Sequence, residues 1–166
     1  MDRIIGIDFG RKRVGVAVSD PLKIFASALD TVPCTKIIDY LKKYSETETI
    51  TGFVIGYPMN LDNTPSEAAK DVDSFIKALT EKFPHITVTL EDERFTSVLA
   101  HRAMIDGGMK AKDRKDKNSV DKISAAIILQ SFLDRQASGC DGTRFAADNL
   151  SVPDSLSRNV TKKRKK

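Results

Sequence analysis

The sequence predicts one α/β domain: a mixed five-stranded sheet that opens with an antiparallel hairpin and carries helices on both faces. Three observations carry this. Residues 4–7 and 13–18 are two β-branched runs joined by a short Gly-containing connection, which reads as a hairpin. Two later apolar runs, 50–55 and 86–90, are separated by a stretch with helical spacing, the pattern of helix-linked parallel strands. The length, 166 residues, suits one domain with a sizeable core.

Taken in order, Ile4, Ile5 and Ile7 with Gly6 form a buried strand that ends at Asp8, and Arg13-Val14-Gly15-Val16-Ala17-Val18 returns beside it. A third strand covers residues 24–32. Pro33 breaks it, and Ile37, Ile38, Leu41 and Tyr44 recur at the spacing of a first helix. The fourth strand, 50–55, stops at Gly56-Tyr57-Pro58. Thr64-Pro65-Ser66-Glu67 then places a capping Thr, a Pro at the first helical position and a Glu at the third, which predicts a helix starting there and running to Pro84. Ile86, Val88 and Leu90 alternate with Thr87 and Thr89 as the fifth strand, leading into Glu91-Asp92-Glu93. A helix from Thr96 stops at Gly107-Gly108. Residues 109–118 are charged, lack an apolar period and predict a mobile loop. Residues 119–135, apolar on more than one side, predict a well-buried last helix. The domain is therefore 1–137, and 138–166, where apolar residues thin out, reads as a disordered basic tail.

Composition narrows the function classes. Hydrophobic residues are 40% and charged residues 30% of the chain, which excludes fibrous and disulfide-dense classes. The longest apolar run, 125–129, is far short of the roughly 20 residues that cross a bilayer, so no membrane role is expected. Cys34 and Cys140 lack metal-ligand spacing and read as free thiols of a reducing cytoplasm. The net charge is +4, and residues 141–166, with seven basic and three acidic side chains, account for all of it. Binding of a polyanion by the folded body would therefore rest on local basic patches.

Three carboxylates stand at telling places: Asp8 at the end of the first strand, Glu93 just past the fifth, and Asp121 at the start of the last helix. In an open α/β sheet, ligands bind beyond the carboxyl ends of the strands, where these groups can converge. Clustered carboxylates repel and lose hydration, so they are tolerated mainly around a hard cation such as Mg²⁺. Two such ions about 3.5–4 Å apart activate a water and stabilise the leaving oxygen of a phosphodiester. Lys12 and Arg13 follow Asp8, and Lys112, Arg114, Lys115 and Lys117 precede Asp121, so positive charge rims the proposed site and would hold a nucleic-acid backbone. Strand parity leaves Glu91 and Glu93 as equal candidates. Asp121 also reads as a helix cap, and Arg94 either pairs with a carboxylate or contacts phosphate. His85 and His101 read as surface residues, with no spacing for nucleophilic catalysis.

Four segments, Gly6-Ile7-Asp8-Phe9-Gly10-Arg11-Lys12-Arg13-Val14-Gly15-Val16-Ala17, Val54-Ile55-Gly56-Tyr57-Pro58-Met59-Asn60-Leu61-Asp62, Asp92-Glu93-Arg94-Phe95-Thr96 and Val120-Asp121-Lys122-Ile123-Ser124-Ala125-Ala126, resemble the hallmark segments of the YqgF (RuvX) family. The resemblance spans residues 3–135. It implies an RNase H-like fold related to Holliday-junction resolvases, with Asp8, Glu93 and Asp121 as catalytic and metal-binding residues for Mg²⁺, Mn²⁺ serving as a substitute. It also implies a nuclease that processes the 5′ end of pre-16S rRNA in ribosome biogenesis. The alternatives are a Holliday junction resolvase acting on branched DNA and a non-catalytic module that binds nucleic acid through the basic loop and tail, and the sequence leaves monomer and homodimer equally open. The first segment is also similar to the first phosphate loop of actin- and sugar-kinase-like domains, but 166 residues leave no room for their second domain.

Overall fold

A computed structural model describes residues 1–62, 64–93, 96–139 and 144–145. The strands β1 (Asp2–Phe9), β2 (Arg13–Ser19) and β3 (Ala26–Pro33) lead through a 3₁₀ turn at Cys34–Lys36 into α1 (Ile37–Ser45). β4 (Thr49–Tyr57), α2 (Ala69–Lys82), β5 (Thr87–Asp92), α3 (Thr96–Asp106) and α4 (Lys117–Ala137) follow, and a two-residue strand, β6 (Arg144–Phe145), closes the described chain. The spatial order is β3-β2-β1-β4-β5-β6. β1 to β3 form an antiparallel meander, β1, β4 and β5 run parallel, and β6 pairs antiparallel with β5.

The five expected strands are all present in the expected order. β6 is an addition: its two residues pair with Val88 and Thr89, within the segment read as a disordered tail. Residues 140–143 and 146–166 of that segment, Cys140 among them, lie outside the described residues.

Alternation along the strands sorts the sheet into two unlike faces. One presents Ile5, Ile7, Val14, Val16, Phe53 and Ile55, all fully buried, to Ile37 and Leu41 of α1 and Val72, Phe75 and Leu79 of α2. Each of these side chains gains about 1.5–3 kcal/mol by leaving water, so this face carries most of the stability. The other face is lined by Ile4, Gly6, Ala17 and Val54 and is covered by Ala125, Ile128, Leu129, Phe132 and Leu133 of α4, with α3 packed on α4 in turn. Small residues let α4 come unusually close. A Cβ at Gly6 would lie 2.6 Å from Leu129 Cβ and 2.8 Å from the Ala125 carbonyl oxygen.

Two helix starts differ from the sequence expectation. Thr64 does not cap α2: its amide and hydroxyl both donate to Asp62 Oδ1, at 3.0 and 2.6 Å, while Asn60 N donates to its carbonyl at 2.8 Å. The capping hydroxyl is consumed inside a tight loop, Ser66 N donates back to Pro58 O, and the helix is delayed to Ala69. Within residues 109–118, read as a mobile loop, a 3₁₀ turn forms at Asp113–Lys115 and α4 already begins at Lys117. Asp116 is its cap, accepting from the amides of Asn118 and Ser119 and from the Ser119 hydroxyl at 2.9 Å.

Candidate active site

Asp8 is placed by β1, opposite Gly15 of β2 and on the face covered by α4. Glu93 is the first residue past β5, with its amide donating to Tyr57 O of β4 at 3.4 Å. β4 lies between β1 and β5, so Glu93 must cross it to reach Asp8. Gly56 makes the crossing feasible: a Cβ there would sit 2.5 Å from Glu93 Oε2 and 2.6 Å from Ile128 Cδ1. The carboxyl of Glu93 lies across the bare glycine and hydrogen-bonds to Asp8.

That contact joins two groups that would repel if both were ionised. Burial, more than any other influence, pushes the Asp8 carboxyl up to about 6; the Asp121 charge adds to the rise, and the hydrogen bond from Glu93 opposes it. Burial likewise leads the rise of Glu93 to about 8, reinforced by the charge on Asp8, the hydrogen bond between them and Asp92. Near neutral pH the pair holds one proton between its two carboxyls, because two carboxylates in contact in a desolvated site resist ionising together.

Asp121 reaches the same neighbourhood from α4. Its main chain is pressed onto β2 at Gly15, where a Cβ would overlap the Asp121 carbonyl, and Thr31 Oγ1 of β3 fastens the start of the helix by donating to Asn118 O at 2.6 Å. The Asp121 side chain does not cap the helix, since Asp116 does. Its Oδ2 accepts from Arg13 Nε at 2.9 Å. The structure thus brings Asp8 and Glu93 into contact, with Asp121 near enough to act on the Asp8 charge. Among the described residues, no three acidic, His or Cys side chains stand as a ready-made metal cage.

Glu91 and Glu93 part company clearly. Glu91 is 5% exposed, accepts from Ser131 Oγ at 3.1 Å and pairs with Arg135, both on α4. It fastens the helix to the sheet and is engaged away from the Asp8 carboxyl. Of the basic residues, Arg13 is committed to Asp121, Lys12, Lys112, Lys115 and Lys117 are exposed, and Arg114 is half-buried. Arg94 lies outside the described residues. His85 and His101 are exposed, as expected. The sequence reading did not give Gly15 and Gly56 a role in the site; their signal was a glycine inside a strand, where it weakens pairing unless something must approach closely.

The donor set suits a hard divalent cation. Carboxyl groups from three separate elements come together here: Asp8 and Glu93 share a proton that a cation would replace, and the Asp121 charge acts on Asp8.

A β3-β2-β1-β4-β5 sheet with a hairpin at its start, a carboxylate at the end of its central strand and a long helix laid across that face defines an RNase H-like α/β domain. The fold matches Thermus thermophilus RuvC, solved with a Holliday junction substrate, with a TM-score of 0.55 over 87% of this chain and all of that one at 16% identity. Residues 2–135 match the RuvX family, described as Holliday junction resolvase, and the chain belongs to that family of nucleases. It is 50% identical over 134 residues to a Phocaeicola vulgatus protein named "Putative pre-16S rRNA nuclease", spanning 81% of this chain and 96% of that one. A Bacteroides fragilis protein of the same name is 47% identical over 134 residues, 81% of this chain and 97% of that one.

Proposed function

We propose that this chain is a divalent-metal-dependent endonuclease of the cytoplasm that trims the 5′ end of pre-16S rRNA during ribosome biogenesis. The observation that carries it is the Asp8–Glu93 carboxyl pair, half-buried at the carboxyl edge of the sheet with the Asp121 charge acting on Asp8. The names of its relatives supply the RNA.

Asp8, Glu93 and Asp121 would hold Mg²⁺, or Mn²⁺ in its place. The ion would supply charge neutralisation at the phosphate and acidify a water that attacks it. The chain's own residues do the rest. Asp8, fixed by strand pairing, and Glu93, laid over Gly56, set the position of the reacting phosphate to within the play of a sheet edge. Lys12, Arg13 and Arg94, with Lys112, Arg114, Lys115 and Lys117 on the connector into α4, contact the flanking phosphates.

A cleavage panel tests this: a pre-16S rRNA 5′-end fragment and a four-way DNA junction, each with Mg²⁺ and with EDTA. Mg²⁺-dependent cutting of the RNA, abolished in Asp8→Asn and Asp121→Asn while RNA binding survives, is the expected result. Cutting confined to the junction would transfer the reading to branched DNA, and cutting retained in both variants would remove the triad from the mechanism.

A further inference from the structure

Arg13 occupies an unusual post. It stands at the start of β2, two residues before the Gly15 that pairs with Asp8, and its Nε donates to Asp121 Oδ2 at 2.9 Å, with the two side chains 38% and 26% exposed. A surface pair of this kind is weak, and both partners remain within reach of a third group. The Asp121 main chain is seated against Gly15 and its helix is fastened to β3 through Thr31 and Asn118, so the backbone that carries this carboxylate stays in place if the guanidinium moves. Arg13, on a long and partly exposed side chain, can move. A cation on Asp121 would repel the guanidinium already there, because like charges a few ångströms apart oppose one another strongly in a partly dry site. A phosphodiester offers Arg13 an anionic partner whose two non-bridging oxygens can take both arms of the planar guanidinium fork, which a single carboxylate oxygen cannot.

We infer that Arg13 is an exchangeable counter-ion: it holds Asp121 in the substrate-free protein, passes to a backbone phosphate when nucleic acid arrives, and so couples substrate binding to cation binding. This rests on the nuclease reading above and adds a regulation to that site. Arg13 is thus a positioning residue for the cation, acting through Asp121. Coupling of this kind is reciprocal, so the factor by which RNA tightens the cation is the factor by which the cation tightens RNA.

The test uses the full chain. Mn²⁺ affinity without RNA is measured by calorimetry for wild type, Arg13→Gln, Arg13→Lys and Lys12→Gln, with circular dichroism as the check on folding. Binding of a fluorescent phosphorothioate RNA hairpin is then followed by anisotropy, with EDTA and with Mn²⁺. Arg13→Gln should bind Mn²⁺ about two- to fivefold more tightly than wild type, as expected for release of one partly exposed pair. Arg13→Lys should fall between, and Lys12→Gln, which removes the same charge next door, should change much less. The strengthening of RNA binding by Mn²⁺ should shrink in Arg13→Gln by the factor that its Mn²⁺ affinity gained. Unchanged Mn²⁺ affinity in Arg13→Gln would overturn the exchange and leave Arg13 a fixed phosphate contact. An equal gain in Lys12→Gln would overturn it too, by reducing the effect to general field. Asp8→Asn and Asp121→Asn separate the two levels. If they lose Mn²⁺ while Arg13→Gln is unaltered, only the exchange fails; if they bind Mn²⁺ like wild type, the nuclease reading itself fails.

Discussion

Gly15 and Asp121 meet main chain to main chain: a single methyl group on the strand residue would overlap the carbonyl oxygen of the helix residue. The position of the third carboxylate is therefore set by the absence of a side chain on β2. Gly15→Ala should push the start of α4 off the sheet, costing about 1–3 kcal/mol, as overpacking in a core does. It should also lower cleavage by up to about a hundredfold, since displacements near 1 Å at reacting groups have that effect. Gly52→Ala is the control, because its new Cβ would find nothing nearer than Thr87 O at 3.8 Å. Urea melts and turnover of the two variants check this; a Gly15→Ala protein with wild-type stability and rate would refute it.

The Asp8–Glu93 pair fixes the sign of a pH effect. Folding moves these carboxyls from 3.8 and 4.5 up to about 6 and about 8, so the folded chain holds their protons more tightly than the unfolded chain does. The stability this confers is present at low pH and is lost as pH rises through those folded values. In EDTA, Asp8→Asn should melt near wild type at about pH 4.5 and above it at about pH 8.5, because the variant no longer holds two carboxylates together. Parallel melting profiles across that range would show that the pair is not coupled. Cation binding runs the other way, strengthening with pH as the shared proton is shed.

Much of this was legible in the chain, and the gaps have physical causes. Strand order and the first and last carboxylates could be read because β-branched runs and glycine breaks are local signals, and Asp8 sits where its strand stops. Choosing Glu93 over Glu91 could not be done from parity, since both face α4. What separates them is that Arg135 and Ser131, some 40 residues on, claim Glu91. The Thr64 cap was misread because the same hydroxyl had a nearer partner in Asp62, a contest between local hydrogen bonds that spacing does not decide. Asp121 as a cap failed for a similar reason: Asp116, five residues earlier, starts the helix sooner. The role of Arg13 toward Asp121, 108 residues away, had no local trace at all.

Glu91 and Glu93 should separate cleanly in solution. Glu91→Gln leaves the Arg135 guanidinium facing a neutral group and weakens the link between β5 and α4, so it should lower stability by about 1–3 kcal/mol. It should leave Mn²⁺ affinity near wild type. Glu93→Gln should reverse this, with little change in melting and a loss of Mn²⁺ binding by tenfold or more. Calorimetric titration with Mn²⁺ alongside thermal melts decides it, and equal Mn²⁺ losses in both would merge two residues that the geometry keeps apart.

The connector into α4 gives the last prediction. Lys112, Lys115 and Lys117 are exposed, and the 3₁₀ turn at Asp113–Lys115 and the Asp116 cap give that segment a defined backbone next to the helix that carries Asp121. A basic segment fixed in this way can meet successive phosphates with less loss of chain freedom than a mobile loop. Each lost phosphate contact should lower the slope of log affinity against log salt by about one unit. Lys112→Gln with Lys115→Gln should therefore flatten the slope for the rRNA fragment by about two and weaken binding at low salt far more than at high salt. Thermal stability should barely move, because neither side chain takes part in an ion pair recorded among the described residues. A slope identical to wild type would mean that this segment faces away from the backbone, and that Lys12 and Arg13 hold the nucleic acid without it.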